Sequence, residues 1–257
     1  MKEIRKQFLS EGRKRLLKGA ARCGNALLDL LYPRRCPICE QILTGKQERV
    51  CPDCRRKLPY IREPLCKKCG KPLERQEQEL CRDCGKTGHG FVCGRSIFLY
   101  EKSFRRSVSR MKFQNHREYL DFYAEEMAKA GEKYLERWRP AVILPVPMNA
   151  RKRRERGFDQ SRLLALKLAH LTGIPADTKS LMRIRYTLPQ KDLDMRQRKE
   201  NLKNAFALRE AACLSEPVLL LDDIYTTGAT IDEICKILHK NGIRQIYFLT
   251  LCTGKGK

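Results

Sequence analysis

VLLLDDIYTTGAT, residues 218–230, decides how the rest of the chain is read. Four apolar residues run without alternation into the acidic pair Asp222–Asp223, and a turn rich in Thr and Gly follows. A continuous apolar run is a strand buried on both faces, as in a parallel sheet covered by helices. In such sheets ligands bind beyond the carboxyl ends of the strands, where the acid pair falls. Carboxylates there can accept hydrogen bonds from vicinal sugar hydroxyls or approach a hydrated Mg2+. The turn adds successive backbone amides, the hydroxyls of Thr226, Thr227 and Thr230, and Gly228 for close backbone approach. With the positive end of the following helix, Thr226, Thr227, Gly228, Ala229 and Thr230 make a phosphate cradle that needs no lysine. The string therefore reads as a pocket for a ribose 5-phosphate. Neither GxxxxGK[ST] nor GxGxxG occurs, which excludes the common nucleotide loops.

Outward from this stretch, strands and helices alternate. FVCGRSIFLY (91–100), AVILPVP (141–147) and QIYFLTLC (245–252) read as strands, the second stopped by prolines. Residues 101–130 read as mainly helical, and 226–242 as a loop and helix ending at Asn241–Gly242. RGFDQSRLLALKLAHLTG (156–173) has helical periodicity, with Asp159 or Ser161 as N-cap and Gly173 as stop. The fold class expected is α/β, a parallel sheet flanked by helices and preceded by a small cysteine-rich module.

That module holds eight of the thirteen cysteines, in four C-x2-C pairs: Cys36/Cys39, Cys51/Cys54, Cys66/Cys69 and Cys81/Cys84. Each pair can point two thiolates from one tight turn at a single ion, so four pairs make two tetrahedral zinc sites. Pairing in chain order, 36/39 with 51/54 and 66/69 with 81/84, is the simplest arrangement; an interleaved one also satisfies the spacing. A shell of four thiolates leaves no open position, so the zinc is structural. Gly70 and Gly85 follow two knuckles, where a positive φ suits glycine. Cys23, Cys93, Cys213, Cys235 and Cys252 lack the spacing and read as buried apolar residues. His89 is an alternative ligand that eight cysteines make unnecessary.

The chain has 257 residues, 42% of them hydrophobic, enough for a real core. Its formal net charge of +24, from 54 Lys and Arg against 30 Asp and Glu, favours polyanions as partners, among them nucleic acid, anionic lipid and phosphorylated metabolites. No apolar run approaches the ~20 residues that span a bilayer. Cysteines spaced for metal rather than for disulfides point to a reducing, cytoplasmic compartment. Three regions are expected: a basic helical segment (1–33), a double zinc-ribbon-like module (34–90) and an α/β domain (91–257).

The stretch at 218–230 resembles the phosphoribosyl pyrophosphate motif of type I phosphoribosyltransferases. The cysteine module, followed by VPMNARKRRERGFDQS (146–161) and RYTLPQKDLDMRQRKENLKNAFAL (185–208), resembles the ComF family. These are competence-associated proteins related to amidophosphoribosyltransferases, and the resemblance covers about residues 30–253. It implies that Asp222 and Asp223 contact the ribose, directly or through Mg2+, and that residues 226–230 hold its phosphate. Pro145, Val146, Pro147 and Met148 then lie at the pyrophosphate turn, with Arg151, Lys152, Arg153, Arg154 and Arg156 beside it. Lys112 is a further phosphate contact, and 183–206 matches a flap carrying Arg183, Gln190, Arg198 and Asn201. Asp159 departs from the family's usual Asn, beside arginines it could pair with. The resemblance also implies DNA uptake during natural transformation, with single-stranded DNA and a helicase-like ATPase of the competence machinery as partners. Such a protein would work in the cytoplasm, with peripheral attachment at the inner face of the membrane as a variant. The rival reading is a competence factor that binds DNA or recruits a partner without turnover. No acceptor site is recognisable.

Overall fold

The computed structural model describes residues 33–45, 48–185, 195–210 and 212–254, without the side chains of residues 195, 196, 198 and 199. The expected N-terminal helix and residues 186–194 of the flap fall outside them. The chain divides into two compact units, Met1–Arg55 and Arg56–Lys257.

In the smaller unit, the first knuckle turns on an antiparallel bridge, Arg35 to Ile42, and the second leads into helix α1 (Pro52–Arg56). The larger unit repeats the device. A bridge joins Leu65 to Pro72, and helix α2 (Arg82–Lys86) carries the last cysteine. Gly70 has φ +72°, and a Cβ there would stand 2.7 Å from the Gly94 carbonyl oxygen. Its counterpart in the first knuckle is Glu40, which holds φ 67° without being glycine. Gly85 is inside α2, so no positive φ is needed there.

The larger unit is built on a parallel sheet of β1 (Cys93–Leu99), β2 (Val142–Pro145), β5 (Val218–Tyr225) and β6 (Ile246–Thr253). The strand order is β1-β6-β5-β2, and every neighbouring pair is parallel. All four residues of β2 and the first four of β5 are buried, as the unbroken apolar runs require. Helices α3 (Lys102–Phe113), α4 (Tyr119–Trp138) and α6 (Gln160–Thr172) occupy the connections along with the shorter α5 (Ala150–Arg156). The α4 and α6 helices pack on each other; α4 lies against β1 and β6, and α6 against β2 and β5. Asp159 caps α6 by accepting from the Arg162 amide, and Gly173 ends it at φ 74°.

Helix α8 (Ala229–Lys240) belongs to another cluster, with Val218, Leu220, Phe248 and Ile234. The second cysteine set is part of that same core. Tyr225 stacks on Phe248 at 4.5 Å, and Phe91 meets Phe248 edge-on at 4.9 Å. Gly94 lies under this stack, where a Cβ would come within 2.1 Å of the Phe248 ring. Strands β3 (Leu181–Arg183) and β4 (Phe206–Leu208) form an antiparallel hairpin that joins the two ends of the expected flap, and α7 (Met195–Leu202) lies between them in the chain. Among the described residues no helix is long and apolar enough to cross a membrane.

Candidate ribose-phosphate site and zinc centres

Strand β5 continues past its apolar half, so Asp222 and Asp223 stand within its last residues and the turn begins after Tyr225. Asp223 is buried and forms an ion pair with Lys112, from the last turn of α3. Burial works against the Lys112 ammonium, but Asp223 beside it outweighs that cost and holds the lysine above its ordinary pKa. Asp222 accepts hydrogen bonds from Ser161 Oγ at 3.1 Å and from the Asp223 amide at 2.8 Å. Its pKa is pushed up to about 8, first by burial and then by the neighbouring Asp223 charge.

Three more cations lie near Lys112 and this pair. Helix α5 begins at Asn149, whose side chain accepts from the Arg151 amide, and ends at Gly157 with φ 76°. The basic run is therefore helical, which sorts its residues by face. Lys152 and Arg156, one turn apart, are both drawn below their ordinary pKa values by burial. The remaining pressure on Lys152 comes from Arg183, Arg156 and Lys112, so all four are neighbours. Arg156 feels Asp223, and Arg183, lowered by burial, feels Asp222. Arg156 also donates to Gln160 Oε1 at 2.5 Å and lies 5.1 Å over the Phe113 ring, while Arg183 lies 5.3 Å over Phe206. Arg151 departs from the sequence expectation: it is exposed and pairs with Glu155 at 2.9 Å, off the face that carries Lys152 and Arg156. The side chain of Arg198 lies outside the described residues, as does Gln190.

The turn after β2 is less open than expected. The Met148 amide is already donated to Asp159 Oδ2 at 3.3 Å, and Pro147 has no amide hydrogen to offer. Asp159 thus ties this turn to the start of α6, which accounts for a carboxylate among arginines.

The turn after β5 has the features of an anion cradle. Gly228 adopts φ +84°; a Cβ there would stand 2.8 Å from the Tyr225 hydroxyl and 3.1 Å from His89 Cε1. The Thr227 hydroxyl oxygen is buried with no hydrogen-bond partner among the described residues, a cost that an incoming acceptor would relieve. Thr226 is exposed, and Ala229 opens α8. Below the turn, His89 Nδ1 lies 2.8 Å from Asp232 Oδ2, and the ring stacks on Phe91. His89 supports the loop and joins neither cysteine cluster. A cavity of about 240 Å³ lined by Gly88, Gly90, Asp232 and Lys236 flanks α8 without including the acid pair.

The cysteines pair in chain order. Cys36, Cys39, Cys51 and Cys54 form one cluster and Cys66, Cys69, Cys81 and Cys84 the other, with sulfurs within 4.8 Å of one another. The set suits tetrahedral Zn2+. Hydrogen bonding between the two sulfurs lowers the Cys66 pKa and raises that of Cys69, since close thiols cannot all ionise without a cation. These are two structural zinc sites. Of the other cysteines, Cys235 and Cys252 are buried as expected, whereas Cys93 is only half-buried and Cys213 is exposed; Cys23 lies outside the described residues.

Residues 27–85 match the double zinc ribbon domain family. The DNA utilization protein YhgH of Salmonella typhi is 41% identical over 113 residues, 44% of this chain and 49% of that protein. Competence protein F of Haemophilus influenzae is 38% identical over 111 residues, 42% of this chain and 48% of that protein. Competence protein ComFC of Bacillus subtilis is 27% identical over 150 residues, 58% of each chain. The chain spans about half the length of the curated relatives it matches. Adenine phosphoribosyltransferase from Leishmania tarentolae superposes with a TM-score of 0.32 at 16% identity, covering 56% of this chain and 74% of that one. The fold assignment rests on the strand order and the β5 turn.

Proposed function

The chain belongs to the ComF family, and from that premise we propose that its α/β domain grips phosphoribosyl pyrophosphate and serves DNA uptake in natural transformation. The observation that carries this reading is the buried Lys112–Asp223 ion pair, with Arg156 close enough to feel Asp223 and Arg183 to feel Asp222, and Lys152 beside these cations. In this reading Asp222 and Asp223 take the ribose hydroxyls, and residues 226–230 take the 5-phosphate, with Thr227 Oγ1 gaining the partner it lacks. The pyrophosphate falls to Lys152, Arg156 and Arg183. If transfer occurs, these cations offset charge on the departing pyrophosphate while a nucleophile attacks the electron-poor sugar carbon.

Magnesium comes with phosphoribosyl pyrophosphate in the family resemblance. The acid pair as folded does not fit a free Mg2+. Asp223 is already neutralised by Lys112, and Asp222 Oδ1 already accepts two hydrogen bonds. Charge compensation in the scheme above therefore rests on protein cations.

Calorimetry and thermal-shift measurements with phosphoribosyl pyrophosphate, with and without Mg2+, test the proposal. Binding that is lost in Asp222→Ala/Asp223→Ala supports it; no binding under either condition refutes it. A non-catalytic factor that binds single-stranded DNA, or recruits a helicase-like ATPase of the competence machinery, is the second reading. The net charge of +24 and the exposed Arg151, Arg153 and Arg154 favour it. DNA affinity that falls steeply with salt, and that drops when those three are neutralised while sugar-phosphate binding stays, would favour the second reading.

A further inference from the structure

We infer that Lys112 is a resident counter-cation that closes the acid pair to free divalent metal ions, so that a sugar phosphate meets carboxylates already balanced by the protein. A Mg2+ site needs anionic oxygens that are unengaged or held only by water. Here the Lys112 ammonium pairs with Asp223 Oδ2 where both side chains are largely withdrawn from solvent, with 15% and 9% exposure. Lys112 is not a surface residue that happened to find a partner. Phe104, Val108 and Met111 bury one face of α3 and fix the helix, and the lysine stem leaves its last turn toward the pair. Its charge also acts on Asp222. Lys152, Arg156 and Arg183 add positive potential to the same neighbourhood, which further repels a free dication.

The consequence is a selectivity rule. A bare dication has to displace a buried ammonium from its carboxylate, leaving that ammonium unpaired in a low-dielectric site, which is strongly unfavourable. A ligand bearing its own negative charge meets no such barrier, because it adds anions to a region that is already cationic. Lys112 thus acts as a gate for the acid pair as well as a cation near the phosphates. The meaning of this gate rests on the proposed sugar-phosphate grip, but metal alone tests it.

The probe is Mn2+, an oxygen-seeking dication, followed by its electron paramagnetic resonance signal against the zinc-loaded full chain. The wild-type protein and Lys112→Arg, which keeps the charge, should show little binding of Mn2+ alone. Lys112→Met should bind at least tenfold more tightly, and Lys112→Met/Asp223→Asn should return to the wild-type level. Circular dichroism checks that each variant folds; if Lys112→Met does not, Lys112→Gln replaces it. Wild-type and charge-removed proteins within twofold of each other overturn the inference, as does tight Mn2+ binding by the wild type. Phosphoribosyl pyrophosphate is then added to the same proteins. A gate with no ligand binding leaves the inference standing and removes the grip; ligand binding with no gate does the reverse.

Discussion

Asp222 should destabilise the ligand-free protein at alkaline pH, and Asp222→Asn should relieve the cost. Burial and the Asp223 charge raise the Asp222 pKa to about 8 from an ordinary 3.8. Below the lower value the carboxyl is neutral whether the chain is folded or not. As pH rises from about 4 to about 8, the unfolded chain releases this proton and the folded chain keeps it, so stability falls across that window. Above about 8 both states are ionised and the loss is complete. A separation of about four pH units corresponds to a ceiling of ~6 kcal/mol at ~1.4 kcal/mol per unit. The Asp222 side chain keeps partial solvent access, which screens the charge, so roughly a third of this, ~2 kcal/mol, is the working figure.

For a unit of this size ~2 kcal/mol is roughly 4–8 °C in Tm. Thermal unfolding of wild type and Asp222→Asn is compared at pH 5, 7 and 9, in saturating zinc and without sugar phosphate. The asparagine keeps an oxygen to accept from Ser161 and the Asp223 amide, so its hydrogen-bond pattern is little changed. Zinc binding also varies with pH, but identically in both proteins, and cancels in the difference. The variant should gain on the wild type progressively from pH 5 to pH 9. A difference that is flat over this range, or that favours wild type at pH 9, refutes the argument.

Four further outcomes follow from the same structure. Cys66→Ser/Cys69→Ser should lose one zinc by metal analysis and abolish the main unfolding transition, because these sulfurs share a core with Tyr225, Phe248 and Ile234. Cys36→Ser/Cys39→Ser should lose one zinc and leave the transition of Arg56–Lys257 in place. Gly228→Ala should cost ~1–3 kcal/mol in denaturant unfolding, from its φ of +84° and the crowding of its Cβ against Tyr225 and His89, and should weaken sugar-phosphate binding. Calorimetry should show Lys152→Ala and Arg156→Ala each losing about tenfold in sugar-phosphate affinity, at ~1.4 kcal/mol per decade, while Arg151→Ala stays within threefold.

The sheet was legible because its central strand is unambiguous: VLLL followed by two acids cannot be an alternating edge strand or an amphipathic helix. The zinc centres were legible for a similar local reason, since C-x2-C repeats mark their own turns. Caps carried the ends of α6, where Asp159 and Gly173 stand where a helix starts and stops. The ion pair of Lys112 with Asp223 was not legible. It joins a helix turn to a strand end through the fold alone, and neither residue's neighbours in sequence announce the other. The β3–β4 stem was missed as well, because strands of three residues carry too little periodicity to stand out from a polar segment.

The basic run at 151–156 shows how much depends on one such missed element. Read as a loop, its five cations are equivalent, and any of them can be assigned to a phosphate. Seven residues without an apolar stripe give no helical periodicity to detect, and an isolated helix that short would not persist in water. The available signals were at the ends, Asn149 before the run and Gly157 after it. Once the run is a helix, the assignment is no longer free. Residues four apart share a face, so Lys152 and Arg156 lie together, Lys152 near Arg183 and Lys112 and Arg156 near Asp223, whereas Arg151 and Glu155 pair with each other in solvent. Net charge can attract a polyanion to this protein. Helical spacing decides which two of the five cations share a face and stand with Arg183 at the proposed site.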